Sequence, residues 1–421
     1  MGLKLKEVTN NNQDLVDKIK EKILSNKNNT ISFKKFMQMA LYTPELGFYC
    51  KQKINIGSKG DFTTAPQISS IFGKCIAVQC AEILKDNSVK NNKIDSILEI
   101  GAGTGKLALD VLNKLKEINC LPEVYYIKEI SKHLIKIQKQ QLQQFICDNK
   151  ENIKIKWLDE ESAENINAIV IANELLDALA CNRIKITNNQ NQYQIMEYHV
   201  GINNNNEFGI KFLPIENKVL EQESQKAFQQ LQQNYSDINL DLKEINLDYT
   251  TEINLELNKQ LDLINKTVNQ GVIFFLDYGY SNKEYFHPER SHGTLKCFKN
   301  HKSHDDALKD IGMTDITSHV NFSYLAECAD RLGFSILGYN TQANFLINNK
   351  LNEISDEIIK ELNKLNIDDN DLKLKQNKII QEIQTLCMPY EMGETIKVMA
   401  ISKDIDMNLR SFSQNNILYK L

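Results

Sequence analysis

The chain has 421 residues, of which 42% are hydrophobic and 25% are charged, as expected for a protein that buries a sizeable core. Its formal net charge of −5 disfavours nucleic acid as a partner, since such binding relies on basic surfaces. The apolar runs are short, as at 168–172 and 272–276, so the sequence predicts no transmembrane span.

Cysteine usage and the N-terminal segment bear on the compartment. The nine cysteines include no C-x-x-C pair and are typical of small core residues in a reducing environment. The N-terminal segment has no apolar stretch of the signal-peptide kind, and its acidic residues and lack of arginine argue against an organelle presequence. We therefore expect a cytoplasmic protein.

Residues 1–90 predict helices around a loop. Apolar residues recur at helical spacing over 16–23, and Ser32 is a candidate cap for a second helix. The stretch 57–66 is rich in Gly, Pro and Thr and predicts a loop, after which 71–84 returns to a helical pattern.

From residue 95, short apolar strands alternate with helices, which predicts an α/β fold with a parallel, doubly wound, seven-stranded sheet. The predicted strands are 97–100, 124–128, 153–157, 169–172, 271–276, 334–339 and 396–401. The predicted helices of this part are 107–115, 131–147, 324–332 and 352–386.

An insertion interrupts this alternation. Predicted strands at 183–187, 192–200 and 208–213 form a β-hairpin or meander, and 216–268 is expected to be helical. The predicted organisation is an N-terminal helical segment with an active-site loop (1–90), the first part of the core (91–181), the hairpin and helical insertion (182–270), the second part of the core (271–403) with a helical insertion at about 350–388, and a C-terminal tail (404–421).

The strongest chemical signal is the segment 97–105, with the sequence ILEIGAGTG, in which a strand runs into a glycine turn and then a helix. Gly101, Gly103 and Gly105 allow a tight turn and let a ligand approach the main chain. The helix that begins near Lys106 directs its unpaired N–H groups toward that ligand.

Two acidic residues near this turn favour S-adenosyl-L-methionine over a dinucleotide. The dinucleotide fingerprint G-x-G-x-x-G would need a glycine where Lys106 stands. Glu99 suits a ligand that carries an ammonium group, and Glu129, at the end of the next strand, can accept hydrogen bonds from ribose hydroxyls. A nicotinamide cofactor and a turn without a ligand are the alternatives.

Polar residues also follow the fourth and fifth predicted strands. Asn173, Glu174 and Asp177 are candidate catalytic residues, since ligands of open α/β sheets bind beyond the carboxyl ends of the strands. Asn173 is a candidate for cofactor binding as well. The alternative is that Glu174 and Asp177 cap a following helix. Tyr278, after the fifth strand, is expected to line the substrate pocket or to pack.

Histidines in the C-terminal half are candidates for a role in substrate orientation or in proton transfer. His301, His304 and Asp305 lack the cysteine partners and the helical spacing of a metal site, so no metal is expected. We interpret these residues, His304 in particular, as orienting the substrate or fixing a loop. His319 is interpreted as a base or as a structural histidine.

Several blocks, in this order, resemble the MidA-type methyltransferase family. The most specific is 60–73, with the sequence GDFTTAPQISSIFG, and the others are the glycine turn, 129–131, 172–179, 277–280, 293–295, 301–305 and 315–322. The chain has Gln67 and Asn321 where the family has acidic residues, and Ala180 where it has Pro. The first two departures each remove a negative charge.

The resemblance implies a class I methyltransferase fold, S-adenosyl-L-methionine as cofactor and a protein as substrate. It also implies arginine methylation, since mitochondrial members of the family act on a subunit of respiratory complex I. The loop 57–66 is then expected to cover the cofactor, with contacts from Asp61, Thr64 and Pro66. Glu174 and Asp177, with Asp61 as a third candidate, are expected to hold the guanidinium.

Other functions stay open at this point. The chain is alternatively a non-catalytic assembly factor that retains the fold, or a methyltransferase for a small molecule. A dehydrogenase is the remaining enzyme class, and Lys106 argues against it. The oligomeric state is not indicated by the sequence.

Overall fold

The computed structural model describes residues 2–51, 57, 63–86, 93–150, 152–159, 165–189, 192–242 and 245–421. The helices are α1 (Gly2–Leu24), α2 (Phe33–Tyr42), α3 (Ala65–Ile68), α4 (Ser70–Lys85), α5 (Lys106–Glu117), α6 (Lys132–Asn149), α7 (Lys218–Asp237), α8 (Glu256–Thr267), α9 (Asn282–Tyr285), α10 (Phe322–Arg331), α11 (Gln342–Asn348), α12 (Leu351–Leu362), α13 (Asp369–Cys387) and α14 (Met392–Thr395). The strands are β1 (Thr30–Ser32), β2 (Ser96–Ile100), β3 (Val124–Lys128), β4 (Lys154–Leu158), β5 (Ile166–Asn173), β6 (Asn182–Asn189), β7 (Gln192–Ile202), β8 (Phe208–Pro214), β9 (Asp248–Ile253), β10 (Val268–Tyr280), β11 (Lys296–Lys299), β12 (Lys302–His304), β13 (Asp315–Thr317), β14 (Val320–Asn321), β15 (Ser335–Thr341) and β16 (Ile396–Lys403).

The chain folds into two compact units, each assembled from separate segments. Unit 1 comprises Met1–Ile54, Asp177–Lys259 and Tyr280–Leu325. Unit 2 comprises Asn55–Leu176, Gln260–Gly279 and Ala326–Leu421.

Unit 2 is built on a sheet with the strand order β15–β16–β10–β5–β2–β3–β4. The strands β10, β5, β2, β3 and β4 run parallel. The predicted α/β class and each of the predicted core strands are therefore confirmed, with ends that differ by a few residues.

The direction of β16 departs from an all-parallel sheet. It runs antiparallel to both of its neighbours, β10 and β15. Its first residue, Ile396, pairs with Tyr278 near the end of β10, so the chain returns to the sheet at the edge where β10 ends. Apolar periodicity reports burial and not strand direction, which is why the sequence did not predict this.

The sheet of unit 2 is stabilised by burial of its strands and by closely packed helices. Every residue of β2 is buried. Helix α4 packs against α5, and a Cβ atom on Gly73 would lie 2.6 Å from Cβ of Asp110. The last residue of the block 60–73 therefore permits two helices to approach closely, which any larger residue would prevent.

Unit 1 contains the sheet β1–β7–β6–β9, in which β8 also pairs with β7, and the sheet β12–β11–β13. The predicted strands of the insertion are confirmed as β6, β7 and β8. The helical prediction for 216–268 is wrong at 248–253, which forms β9, and β1 at 30–32, which ends at the predicted cap of α2, was not predicted. Both strands are short, and their partners β7 and β6 are distant in the sequence, so local pattern alone did not reveal them.

The predicted cap of the second helix and the predicted burial of most cysteines are both found in the structure. Ser32 caps α2, because its Oγ accepts a hydrogen bond from the Lys35 amide at 3.2 Å. All nine cysteines are free, and six of them are buried. Within the described ranges, no helix combines the length and the apolar character needed to cross a bilayer.

Candidate functional site

The glycine turn lies at the carboxyl end of β2 in unit 2. Gly101, Gly103 and Gly105 have φ values of +72°, +53° and +80°, which glycine adopts without steric cost. An added Cβ atom would lie 3.1 Å from Cδ1 of Leu175 at Gly101, and 3.3 Å from Cα of Gln138 at Gly105. The turn therefore has little room for side chains, and its main chain is left to meet a ligand.

The start of helix α5 adds donors to this turn. Gly105 is the N-cap and has no side chain that could bond the first amides of the helix. These amides carry the positive end of the helix dipole, which favours an electronegative ligand atom. Gln67 reaches the same turn, because its Nε2 donates to Oγ1 of Thr104 at 2.7 Å.

Glu129 follows β3 and is held in place by two donors. Its Oε1 accepts from the Ser131 amide at 3.0 Å, and its Oε2 accepts from Nε2 of Gln138 at 3.0 Å. The same Nε2 donates to the carbonyl of Gly103 at 2.9 Å, which ties the carboxylate to the glycine turn. Oε1 of Gln138 accepts from Nε1 of Trp157 at 2.9 Å.

Gln138 was not among the residues predicted for the site. It is fully buried on α6 and lies between Leu134 and Leu142 on the same helical face. Residues at this spacing share one face of a helix, so an amide between two leucines is a recognisable signal. A buried glutamine among apolar residues must find hydrogen-bond partners, and here these are Glu129, Gly103 and Trp157.

Glu99 lies beneath the turn rather than on its surface. It is 2% exposed, and its Oε2 accepts from the hydroxyl of Tyr125 at 2.7 Å. Burial raises the pKa of Glu99 to about 7, and the charge of Glu129 acts in the same direction. The two carboxyl groups are therefore close enough to repel each other, which favours a cationic ligand near them.

Asn173 is the last residue of β5, and Glu174 follows it directly. Glu174 has a left-handed φ of +48°, and its amide donates to the carbonyl of Leu276 at 2.8 Å. Its Oε1 accepts from the amide of Ala65 and from Nδ2 of Asn173, both at 3.1 Å. Unusual backbone of this kind in a non-glycine residue concentrates at functional sites.

The interpretation of Glu174 and Asp177 as helix caps is wrong, because 174–181 forms turns and bends and no helix follows there. Buried Asp277 holds part of this segment, since its Oδ2 accepts from the amides of Leu175 and Leu176 at 3.1 and 2.7 Å. The sequence indicated polar groups at 277–280 but not this anchoring role of Asp277.

The groups at this edge fit S-adenosyl-L-methionine. Oδ1 of Asn173 is buried and has no hydrogen-bond partner in the described part of the chain, so it can accept from an ammonium group. The register pairs Ala172 with Ile100, which sets Asn173 beside Gly101. With Glu129 nearby, the edge offers acceptors for both an ammonium group and ribose hydroxyls.

The other predicted cofactor and substrate residues of unit 2 have different placements. Thr64 is the N-cap of α3 and Pro66 lies in its first turn, next to Ala65, whose amide meets Glu174. Tyr278 lies near the end of β10, where its amide donates to Asp277. Asp61 lies outside the described residues, as does the whole stretch 58–62 of the loop 57–66.

Asp177, His304 and His319 belong to unit 1. Asp177 is 8% exposed, and its carbonyl accepts from the Ser318 amide at 2.9 Å. The His319 amide donates to Oγ1 of Thr294 at 3.1 Å. Both ring nitrogens of His304 are buried and have no hydrogen-bond partner in the described ranges. Within those ranges, no group of three or more His, Cys, Asp or Glu side chains could hold a metal.

A family model and curated relatives all identify proteins similar to this chain as methyltransferases. A model of an S-adenosyl-L-methionine-dependent methyltransferase family matches residues 75–340. The mitochondrial protein arginine methyltransferase NDUFAF7 of Danio rerio is 25% identical over 411 residues, which cover 93% of this chain and 87% of that protein. The homologue of NDUFAF7 in Caenorhabditis elegans is 27% identical over 352 residues, which cover 79% of this chain and 74% of that protein.

A solved structure agrees over nearly the whole chain. It is a protein of Burkholderia thailandensis, regarded as a methyl transferase and bound to S-adenosyl-homocysteine. Its TM-score is 0.82 at 27% identity, and the match covers 98% of this chain and 97% of that one. This likeness confirms the expected fold and agrees with the expected cofactor.

The prediction of a cytoplasmic protein is wrong, because the curated relatives from Danio rerio and Caenorhabditis elegans are both named as mitochondrial proteins. The resemblance to MidA-type methyltransferases is confirmed by the same relatives and by the family model. Since that model matches more than half of the chain, the protein belongs to this family of S-adenosyl-L-methionine-dependent methyltransferases.

Proposed function

We propose that the protein transfers a methyl group from S-adenosyl-L-methionine to an arginine side chain of a protein partner. The observation that carries this proposal is the hydrogen-bonded arrangement in which Gln138 holds Glu129 beside the glycine turn. The names of the curated relatives, which are protein arginine methyltransferases, support the choice of acceptor.

In this proposal the main chain of 101–105 holds the cofactor, and Glu129 accepts from its ribose hydroxyls. Asn173 Oδ1 accepts from its ammonium group, while Glu99 supplies negative charge from beneath the turn. The loop residues Asp61, Thr64 and Pro66 are assigned to the same ligand. When bound, the cofactor supplies a methyl group that its sulfonium already activates.

The protein itself must then orient the nucleophile and exclude water. Glu174 is suited to the first task, because two donors on its Oε1 fix the carboxylate before any substrate arrives. Carboxylates bind guanidinium groups in a planar, two-pronged geometry. Glu174 therefore aligns the arginine, and its carboxylate accepts the proton that the guanidinium nitrogen loses as the methyl group moves from the sulfonium to that nitrogen. Asn173 contributes by holding Glu174.

Four predicted residues have roles that substitution must test one at a time. Asp177 stays a prediction as a second carboxylate for the guanidinium. His304, His319 and Tyr278 stay predictions as substrate-contacting residues. For each of them, the proposed role requires that an alanine variant retain cofactor binding and lose methyl transfer.

The acceptor is proposed to be a protein with an exposed arginine, and the family resemblance makes a subunit of respiratory complex I the first candidate. A net charge of −5 gives a basic acceptor a favourable long-range interaction. It disfavours nucleic acid for the same reason.

The experiment is incubation of the purified protein with methyl-labelled S-adenosyl-L-methionine and a mitochondrial extract, followed by mass spectrometry of the labelled products. The expected result is label on arginine of one or a few proteins, which is lost when Glu174→Gln replaces the wild type. Label confined to small molecules would contradict the protein acceptor. Cofactor binding without any label would favour a non-catalytic assembly factor.

A further inference from the structure

Unit 1 contains a groove between strand β7 and helix α7, with a volume of about 320 Å³. We call it the β7–α7 groove. It is lined by 193–196 of β7, by Pro214 and Ile215 at and after the end of β8, and by Glu221, Ser224, Gln225 and Phe228 of α7. None of these residues belongs to the cofactor site proposed above.

The groove runs along an edge of β7. This strand pairs with β6 over 192–197 and with β8 over 196–202. No strand of the described chain pairs with its second edge over 192–195. Successive side chains of a strand point to opposite faces, yet four consecutive residues, 193–196, line the groove. The groove therefore gives access to the main chain of this edge.

Ser224 provides an independent sign of a ligand. It lines the groove and is 0% exposed, and its Oγ has no hydrogen-bond partner among the described residues. Buried hydroxyl groups are nearly always hydrogen-bonded, because an unpaired one forfeits its interaction with water. An unpaired hydroxyl in the wall of a groove therefore indicates that a polar atom of a ligand completes it.

The remaining walls combine apolar surface with one negative charge. Tyr193 and Phe228 both line the groove, and their ring centroids are 4.8 Å apart. Glu221 is exposed at the rim and forms no ion pair in the described part of the chain. Such a groove suits an apolar side chain next to a basic one.

We propose that the β7–α7 groove binds an extended, basic segment of a protein partner, which adds as a strand along 192–195. The segment supplies the missing main-chain hydrogen bonds of this edge, a polar atom for Ser224 and a cation for Glu221. This inference rests on the proposed function, since the partner is then the methyl-accepting protein. The groove would select the acceptor by a sequence other than its methylated arginine.

The first test measures binding to the full-length protein by fluorescence anisotropy. The probe is a fluorescein-labelled octapeptide that alternates valine or leucine with arginine. One control peptide carries N-methyl groups at alternate backbone positions, and another has glutamate in place of arginine. We expect each control to bind about tenfold more weakly than the probe. No binding of the probe, or equal binding of the N-methylated peptide, would overturn the proposal.

Matched variants locate the binding to the groove. Gln225→Trp blocks the groove from an exposed position, and Gln222→Trp places the same bulk on an exposed position of α7 outside the groove. We expect about a tenfold loss of probe affinity in the first variant and no loss in the second. Glu221→Lys should reverse the preference between arginine and glutamate peptides. Equal effects of both tryptophan variants would place the peptide elsewhere.

Ser224→Ala separates binding from folding. Removing an unpaired buried hydroxyl should raise Tm, whereas loss of its contact to the peptide should weaken probe binding several-fold. A variant that is more stable and binds less cannot be explained by unfolding. A lower Tm, or unchanged probe binding, would contradict the proposed hydrogen bond between Ser224 and the peptide.

Kinetic measurements with the methyl-accepting protein as substrate distinguish this inference from the proposed function. Gln225→Trp should raise KM for the intact acceptor several-fold and leave both kcat and S-adenosyl-L-methionine affinity unchanged. Methyl transfer that is insensitive to this variant would refute the groove alone. Absence of protein methylation would refute the proposed function, while the anisotropy measurements would still decide whether the groove binds peptides.

Discussion

Gln138 and Glu129 are joined by a hydrogen bond of 3.0 Å from Nε2 to Oε2, at a position where Gln138 is fully buried. The same Nε2 bonds the Gly103 carbonyl, so one side chain of α6 sets the position of the acid relative to the glycine turn. The geometry of the proposed cofactor site therefore depends on a helix that contributes no charge to it.

Gln138→Leu tests this dependence. Leucine has a similar size but no amide, so Glu129 loses one of its donors and is free to turn away from the ribose. We expect S-adenosyl-L-methionine to bind about tenfold more weakly, as measured by isothermal titration calorimetry. The matched control is Gln144→Leu, which is exposed on the same helix and should leave the affinity unchanged. Equal affinities in both variants would contradict the orienting role of Gln138.

Gly105→Ala tests the close packing of the turn. Gly105 and Gly333 have nearly equal φ values of +80° and +82°, but an added Cβ atom meets Gln138 at Gly105 and no atom within 4 Å at Gly333. Gly333→Ala therefore measures the backbone cost alone, about 1 kcal/mol of unfolding free energy. Gly105→Ala should lower the unfolding free energy, measured by urea denaturation, by more than Gly333→Ala does, because its Cβ atom also meets Gln138.

The same pair of variants separates stability from binding. Gly105→Ala must displace Gln138, so its affinity for S-adenosyl-L-methionine should fall, whereas Gly333→Ala should bind as the wild type does. Calorimetric titration gives both affinities. If the two variants bind the cofactor equally well, the turn at Gly105 does not contribute to the site.

Glu174→Gln tests the orientation of the acceptor. The variant keeps an oxygen for the amides that meet this side chain but loses the charge that would align a guanidinium. We expect unchanged affinity for S-adenosyl-L-methionine and a fall in kcat of about a hundredfold or more. Methyl transfer is followed with labelled cofactor. Wild-type turnover in this variant would exclude Glu174 from the catalytic residues.

Glu99 should give the free protein a characteristic pH dependence. Burial raises the pKa of Glu99 from 4.5 to about 7. Between these values the folded protein keeps a proton that the unfolded chain has released, so stability falls as pH rises through this window. The full loss above pH 7 amounts to about 3 kcal/mol of unfolding free energy.

Glu99→Gln should remove this dependence, because glutamine stays neutral and can still accept from the Tyr125 hydroxyl. Near pH 5 the variant and the wild type should have similar stability, and near pH 8 the variant should be more stable by about 2–3 kcal/mol. Urea denaturation without cofactor at both pH values measures the difference. Parallel stability curves would show that Glu99 does not titrate in this window.

The strands of unit 2 were predictable for a physical reason. β5 and β10 lie inside the sheet and are buried along most of their length, so they appear in the sequence as continuous apolar runs. β1 and β9 were not predicted, because short strands owe their stability to partners that lie far away in the chain. The reversed direction of β16 leaves no trace in hydropathy at all.

By itself, the sequence determined the α/β class, the glycine turn at 101–105 and the acids on either side of it, because these features are local and have a defined spacing. Only the tertiary structure showed that Gln138 orients Glu129 and that Asp277 anchors the segment after β5. Hydrogen bonds between separate elements depend on how those elements pack. A pattern of residues that are neighbours in the sequence carries no information about which distant side chains come within hydrogen-bond distance.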